Sequence, residues 1–180
     1  MGFEGRIREL VAGHPSLEVI TSALLSVRAV LRRQLNEFER RVRAIARTDT
    51  RTRLLMTTPG VGVIVALTFA CAIDDPSRFK SSKAVGAYFG MTPTRYQSGE
   101  TDYSGRISKN GDGSVRAVLY EAGHLILTRP LKGCTALKSW AMKIAKRSGM
   151  KKAKVALARK LAVIMHRMLA DGTPFTTQPA

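Results

Sequence analysis

Eight apolar residues, Ile20, Leu24, Val27, Leu31, Leu35, Phe38, Val42 and Ile45, recur at steps of four and three along an arginine-rich stretch. Such steps return to one side of an α-helix, so the spacing predicts a helix of roughly thirty residues with a narrow apolar seam. The step of four from Leu31 to Leu35 is a stutter in an otherwise heptad-like repeat. Ser16, after Pro15 and before the first seam residues, reads as the N-cap. Arg32, Arg33, Arg40, Arg41 and Arg43 fall mostly off the seam. So narrow a stripe needs a second helix. A second copy of the chain would give a coiled-coil dimer, and the chain's own C-terminal helices would give an intramolecular bundle.

The seam ends before Thr57-Thr58-Pro59-Gly60-Val61-Gly62-Val63. Proline stops the incoming helix, and the glycines allow a tight turn with close backbone approach. A helix over the apolar run from Ile64 to Ile73 would then begin with free amides. Gly60 and Gly62 are therefore candidates for a helix-hairpin-helix contact to a backbone phosphate, which needs N–H groups and reads no bases. A plain packing corner between two helices gives the same pattern. A Walker loop is excluded because no Gly-Lys-Ser/Thr follows.

From Thr94 to Gly113 the chain holds four glycines, three serines and few aliphatics, the composition of a long loop or irregular hairpin. Arg95, Arg106, Lys109 and Arg116 are spread along it and just beyond, so one phosphate can meet several cations. Ser98, Ser104 and Ser108 are hydroxyl candidates, but no base adjoins them in sequence. Calcium is excluded: with Gly113 at the EF-hand glycine position, Leu119 stands where a bidentate glutamate is required. His14, His124 and His166 show no zinc spacing. Ser114 to Thr128 reads as a helix capped by Asp112 or Ser114. Arg116 in its first turn opposes the helix dipole, a penalty that a bound anion would remove. Residues 137–170 read as one or two helices broken near Ser148-Gly149, with Lys151 and Lys152 among many exposed cations. Tyr120 and Trp140 read as core rather than as stacking platforms.

Charge sharpens this. The chain carries +17, divided as +5 over residues 1–56, zero over 57–105 and +12 over 106–180. A field this one-sided points to a polyanion. Two distant cysteines, Cys71 and Cys134, form neither a disulfide framework nor a metal pair. The longest apolar run, Val61 to Ile73, is short of the ~20 residues that a spanning helix needs. The opening residues lack the apolar core of a secretory signal. The expectation is a cytoplasmic protein with no membrane contact.

The order of motifs is specific. T-x-P-G-V-G, D-P-S-R-F-K-S, G-A-Y-F-G-M-T-P, Q-S-G, G-R-I-S-K-N-G and the R-x-V-L-Y-E-A helix follow one another from about Thr57 to Leu127. Together they resemble the C-terminal transposase domain of the insertion-sequence family numbered one-ten, relatives of the Piv DNA invertase, some guided by a bridge RNA. The resemblance implies a serine that attacks a DNA phosphodiester and becomes covalently joined to it. By position in Q-S-G that serine is Ser98, with Ser108 of I-S-K the runner-up. Gly99 and Gly105 would let the backbone approach DNA, and Arg106, Lys109 and Arg116 would hold phosphate. The resemblance also implies an N-terminal RuvC-like nuclease domain with an acidic metal-binding tetrad. Asp74, Asp75, Glu100 and Asp102 match no position of it, so this chain is expected to lack that domain and any metal site of its own. Mg²⁺ is expected only with the nuclease domain, and Ser98 alone is expected to be almost inert.

The sequence thus predicts a mainly α protein. Residues 1–56 form a coiled-coil helix, 57–172 a compact helical domain with a helix-hairpin-helix-like turn and a Ser/Gly-rich loop or small hairpin, and 173–180 a flexible tail. It would bind DNA, and a structured guide RNA in some relatives' manner, and form a homo-oligomer. The alternative is a non-catalytic helix-hairpin-helix protein binding DNA or RNA.

Overall fold

The computed structural model describes residues 2–176. It divides into two compact units, Met1–Ile45 and Ala46–Ala180. The first contains α1 (Phe3–Val11) and most of α2 (Pro15–Thr48). In α2 the helix begins at Pro15, so Ser16 stands inside the first turn and is not the cap. Proline suits the first helical position because its missing N–H has no intrahelical acceptor there. The Glu18 carboxylate instead accepts from the Gly13 N–H at 2.9 Å. Arg28 of α2 holds α1 through an ion pair with Glu4 and a cation–π contact over Phe3.

The second unit takes in the end of α2 and adds α3 (Thr50–Leu55), α4 (Val63–Ile73), α5 (Ala84–Tyr88), β1 (Pro93–Ser98), β2 (Thr101–Ile107), α6 (Gly113–Thr128), α7 (Thr135–Ser148) and α8 (Met150–Asp171). It starts before Thr57 because Leu55 is wholly buried in its core. Asp49 caps α3 by accepting from the Thr52 N–H at 2.9 Å and from the Thr52 hydroxyl. The core is one cluster around Phe69, Phe89, Leu119, Ile126, Leu157, Leu161 and Met165. The long helix α8 packs along both α6 and α7, and α4 packs on α6. Gly149, at φ +86°, breaks α7 from α8 where the sequence predicts a break.

His166 of α8 is buried and fixes a loop onto the helix. Its Nε2–H donates to the Pro76 carbonyl at 3.1 Å, and Nδ1 accepts from the Ser82 hydroxyl at 3.0 Å. Pro76 opens a short 3₁₀ turn, Pro76–Arg78, capped by Asp75. The tail expected to be flexible is tied at its start. The Phe175 N–H donates to the Thr57 hydroxyl at 2.9 Å, and the Phe175 ring lies against the core. Residues 177–180 lie outside the described residues.

Candidate nucleic-acid interface

The Ser/Gly-rich stretch is a two-stranded antiparallel hairpin, β1 against β2. Tyr96 pairs with Tyr103, Gln97 with Asp102 and Ser98 with Thr101, leaving Gly99-Glu100 as a two-residue turn. Gly99 has φ +53°, the left-handed value that a turn this tight requires. Between Pro93 and Arg95 the register shifts, so the pairing is irregular near the base. Gly105 sits there because a Cβ would come within 2.6 Å of the Thr94 hydroxyl and 2.9 Å of the Tyr96 ring.

The hairpin is anchored by backbone. The Lys109 N–H donates to the Gly90 carbonyl and the Ser108 N–H to the Thr92 carbonyl, both at 3.0 Å. Gly90 ends α5 at φ +64°, and a Cβ on it would lie 2.1 Å from the Asn110 carbonyl oxygen. Gly111 meets the Tyr88 carbonyl as closely. Asp112 then caps α6, accepting from the Ser114 N–H at 2.7 Å. Beside this anchor a cavity of about 270 Å³ opens between Ile107, Lys109, Arg116, Tyr120 and Val155.

The candidate residues fall into distinct settings. Ser98 ends β1 at the exposed tip, and its hydroxyl has no hydrogen-bond partner among the described residues. Ser108 lies half-buried at the base. The seven steps from Thr101, the partner of Ser98, to Ser108 put it roughly 20 Å along the hairpin, so the two serines do not serve one phosphate. Arg95 is committed: Nε donates to Asp102 Oδ1 at 2.9 Å and Nη2 to Oδ2 at 2.5 Å. That hydrogen-bonded pair holds the Asp102 carboxyl below the ordinary range and the Arg95 guanidinium above it. Arg106, Lys151 and Lys152 are exposed and make no ion pair among the described residues, and the same holds for Lys109, at φ +59°.

Arg116 has partners that its place in the helix does not reveal. Its Nη1 donates to the carbonyls of Phe89, Asn110 and Gly111 at 3.2, 3.0 and 3.0 Å. Three carbonyl dipoles thus offset the cation's unfavourable place in the first turn, and the side chain braces the hairpin's anchor. Gly60, at φ +79°, is a packing glycine: a Cβ would press to 2.9 Å from Ile126 and 3.3 Å from the Ala122 carbonyl. Gly62 is open, with nothing near a would-be Cβ, and α4 starts there without a side-chain cap.

Two features escape a reading of the sequence. One is the Arg95–Asp102 pair, which only the register reveals. The other is a stack of Tyr96 on Tyr103, ring centroids 4.9 Å apart and planes at 18°. The signal was present, since the two tyrosines stand at equal distances from the Gly99-Glu100 turn. Among the described residues no three His, Cys, Asp or Glu converge to seat a metal ion, and no helix is long and apolar enough to cross a membrane.

Residues 52–134, which run from α3 to the start of α7 and include the whole hairpin, match the model of the transposase IS116/IS110/IS902 family. The chain belongs to the IS116/IS110/IS902 transposase family. It is 31% identical over 136 residues to the transposase for insertion sequence element IS1111A of Coxiella burnetii, covering 75% of this chain and 37% of that protein. Against the transposase for IS1328 of Yersinia enterocolitica it is 30% identical over 143 residues, 79% of this chain and 43% of the relative. A 43.6 kDa protein of insertion element IS110 from Streptomyces coelicolor is 21% identical over 164 residues, 91% of this chain and 40% of its own length. The chain thus spans about two fifths of the curated relatives it matches.

Proposed function

We propose that this chain is the DNA-binding, serine-bearing part of an insertion-sequence transposase, with Ser98 as the nucleophile toward a DNA phosphodiester. The observation that carries this is the placement of Ser98 in a chain of this family. Its hydroxyl stands unencumbered at the tip of a hairpin braced on helices that hold most of the chain's positive charge. An isolated hydroxyl is a weak nucleophile, and no base reaches Ser98 within the hairpin. The chain by itself therefore binds and presents, and the chemistry needs the rest of the transposase. Arg106 and Lys109 flank the path from tip to base, while Lys151 and Lys152 begin α8. These four supply phosphate contacts, joined by the open, uncapped start of α4 at Gly62.

The α2 seam supports pairing with a second copy. Leu24, Leu31, Leu35 and Phe38 are each more than half exposed, an uncommon state for a regular apolar stripe. A two-stranded coiled coil would cover it.

The test is a titration of the pure chain with the element's terminal DNA and with RNA transcribed from its flanks, from about 50 to 200 mM salt. Binding that weakens steeply with salt, and that Ser98→Ala leaves intact, is the expected result. Absence of binding to either polymer at the lowest salt sinks the reading. So does a covalent adduct formed by the chain and Mg²⁺ alone, for the presentation role.

A further inference from the structure

We propose that the stacked Tyr96–Tyr103 pair is a platform for one unpaired base, whose phosphate it sets over Ser98. This deepens the reading above and rests on it, since it names the form of nucleic acid that the hairpin takes.

Tyr96, Tyr103 and Ser98 share one face of the hairpin. Alternate residues of a strand point the same way, so Tyr96 and Ser98 do, and Tyr103 is the direct cross-strand partner of Tyr96. The opposite face carries the Arg95–Asp102 pair. A strand advances about 6.6 Å over two residues, the step from Tyr96 to Ser98. A nucleotide seated flat on the tyrosines therefore has its sugar-phosphate within reach of the serine.

The pair is built rather than incidental. Gly105 is the residue that lets the Tyr96 ring lie down, because a Cβ there would collide with its Cε2 atom at 2.9 Å. The other ring pairs among the described residues meet at steep or tilted angles, Phe79 with Tyr88 at 84°, Tyr88 with Phe89 at 69° and Phe69 with Phe89 at 53°. Only Tyr96 and Tyr103 lie near-parallel among the described residues, at 18°. Both residues are more than half exposed, Tyr96 at 52% and Tyr103 at 56%. A near-parallel stack with open ring surface continues readily with a third flat π-system. Aromatic side chains on which successive bases stack are how proteins hold single strands without reading sequence. An intact duplex keeps its bases stacked on one another and offers none to the tyrosines. The occupant is therefore a frayed, flipped or single-stranded nucleotide.

The test uses the full chain and a single-stranded DNA of about 12 nucleotides carrying one 2-aminopurine, with a blunt duplex of the same sequence as comparison. Stacking on the platform quenches 2-aminopurine. Wild type and Tyr103→Phe are expected to quench it and to bind the single strand alike. Tyr103→Ile, whose β-branched side chain keeps the strand paired, is expected to lose the quench and about tenfold in single-strand affinity while duplex affinity stays unchanged. Tyr96→Ala with Tyr103→Ala should do the same, and near-wild-type melting of Tyr103→Ile shows that the fold persists. Equal single-strand affinity and equal quench in wild type and Tyr103→Ile overturn the platform while leaving nucleic-acid binding standing. Equal losses on strand and duplex also overturn it, by showing that the pair serves only the hairpin. If wild type binds neither polymer, the broader reading fails and takes this one with it.

Discussion

Across the hairpin diagonal, Asp102 receives both Nε and Nη2 of Arg95, so the cation nearest the tip on β1 is already neutralised. Both groups are largely exposed, so the pair adds little to stability. Its effect is on charge. Asp102→Asn releases one cation on the hairpin face opposite Ser98, and binding to single-stranded DNA is expected to tighten several-fold at low salt. The slope of log affinity against log salt should steepen by about one. Protonation gives the same release: the pair is complete above the ordinary carboxylate pKa and is lost as pH falls through the lowered value of Asp102.

Two glycines with left-handed φ predict opposite outcomes. Gly90→Ala forces a Cβ against Asn110 at 2.1 Å, and unfolding in urea should show a loss of about 3 kcal/mol or more. Gly99→Ala meets no atom, so its cost is limited to backbone strain at the turn, about 1 kcal/mol.

Asp49→Ala removes the α3 cap and leaves the wholly buried Thr52 hydroxyl without its acceptor. A loss of about 1–2 kcal/mol is expected at neutral pH. The bond from the Thr52 hydroxyl, more than any other contact, lowers the Asp49 carboxyl. Its contribution is thus fully present above the ordinary carboxylate pKa and lost as pH falls through the lowered one. Urea midpoints of wild type and variant should converge in acid.

Leu31→Glu with Leu35→Glu is expected to convert an oligomer to a monomer by light scattering. The melting of the second unit should not change, because neither side chain belongs to its core. By contrast Leu157→Ala, at the centre of that core, should cost 2–5 kcal/mol, an order of magnitude set by the cavity it leaves.

Much of this was legible in residue order, and what was not has a common cause. The period of Ile20 to Ile45 reports α2, and Asp112 and Gly149 mark helix ends, because each signal is local. The placement of Ser98 at a hairpin tip was left between loop and hairpin, since pairing depends on partners across the turn. The bonds of Arg116 were not legible because its acceptors come from Phe89, Asn110 and Gly111, and helix position says nothing of them. Gly60 and Gly62 look alike in sequence, but only Gly60 faces α6.

The attachment of the hairpin has one more consequence. Its hold on the body runs through main-chain bonds at Gly90 and Thr92 and through backbone carbonyls gathered by Arg116. Among the described side chains from Tyr96 to Tyr103, none takes part in those bonds. The aim of the hairpin and the chemistry at its tip are therefore inherited separately. Related elements can diverge at the tip and acquire new strand preferences while the hairpin keeps its bearing on the helices behind it.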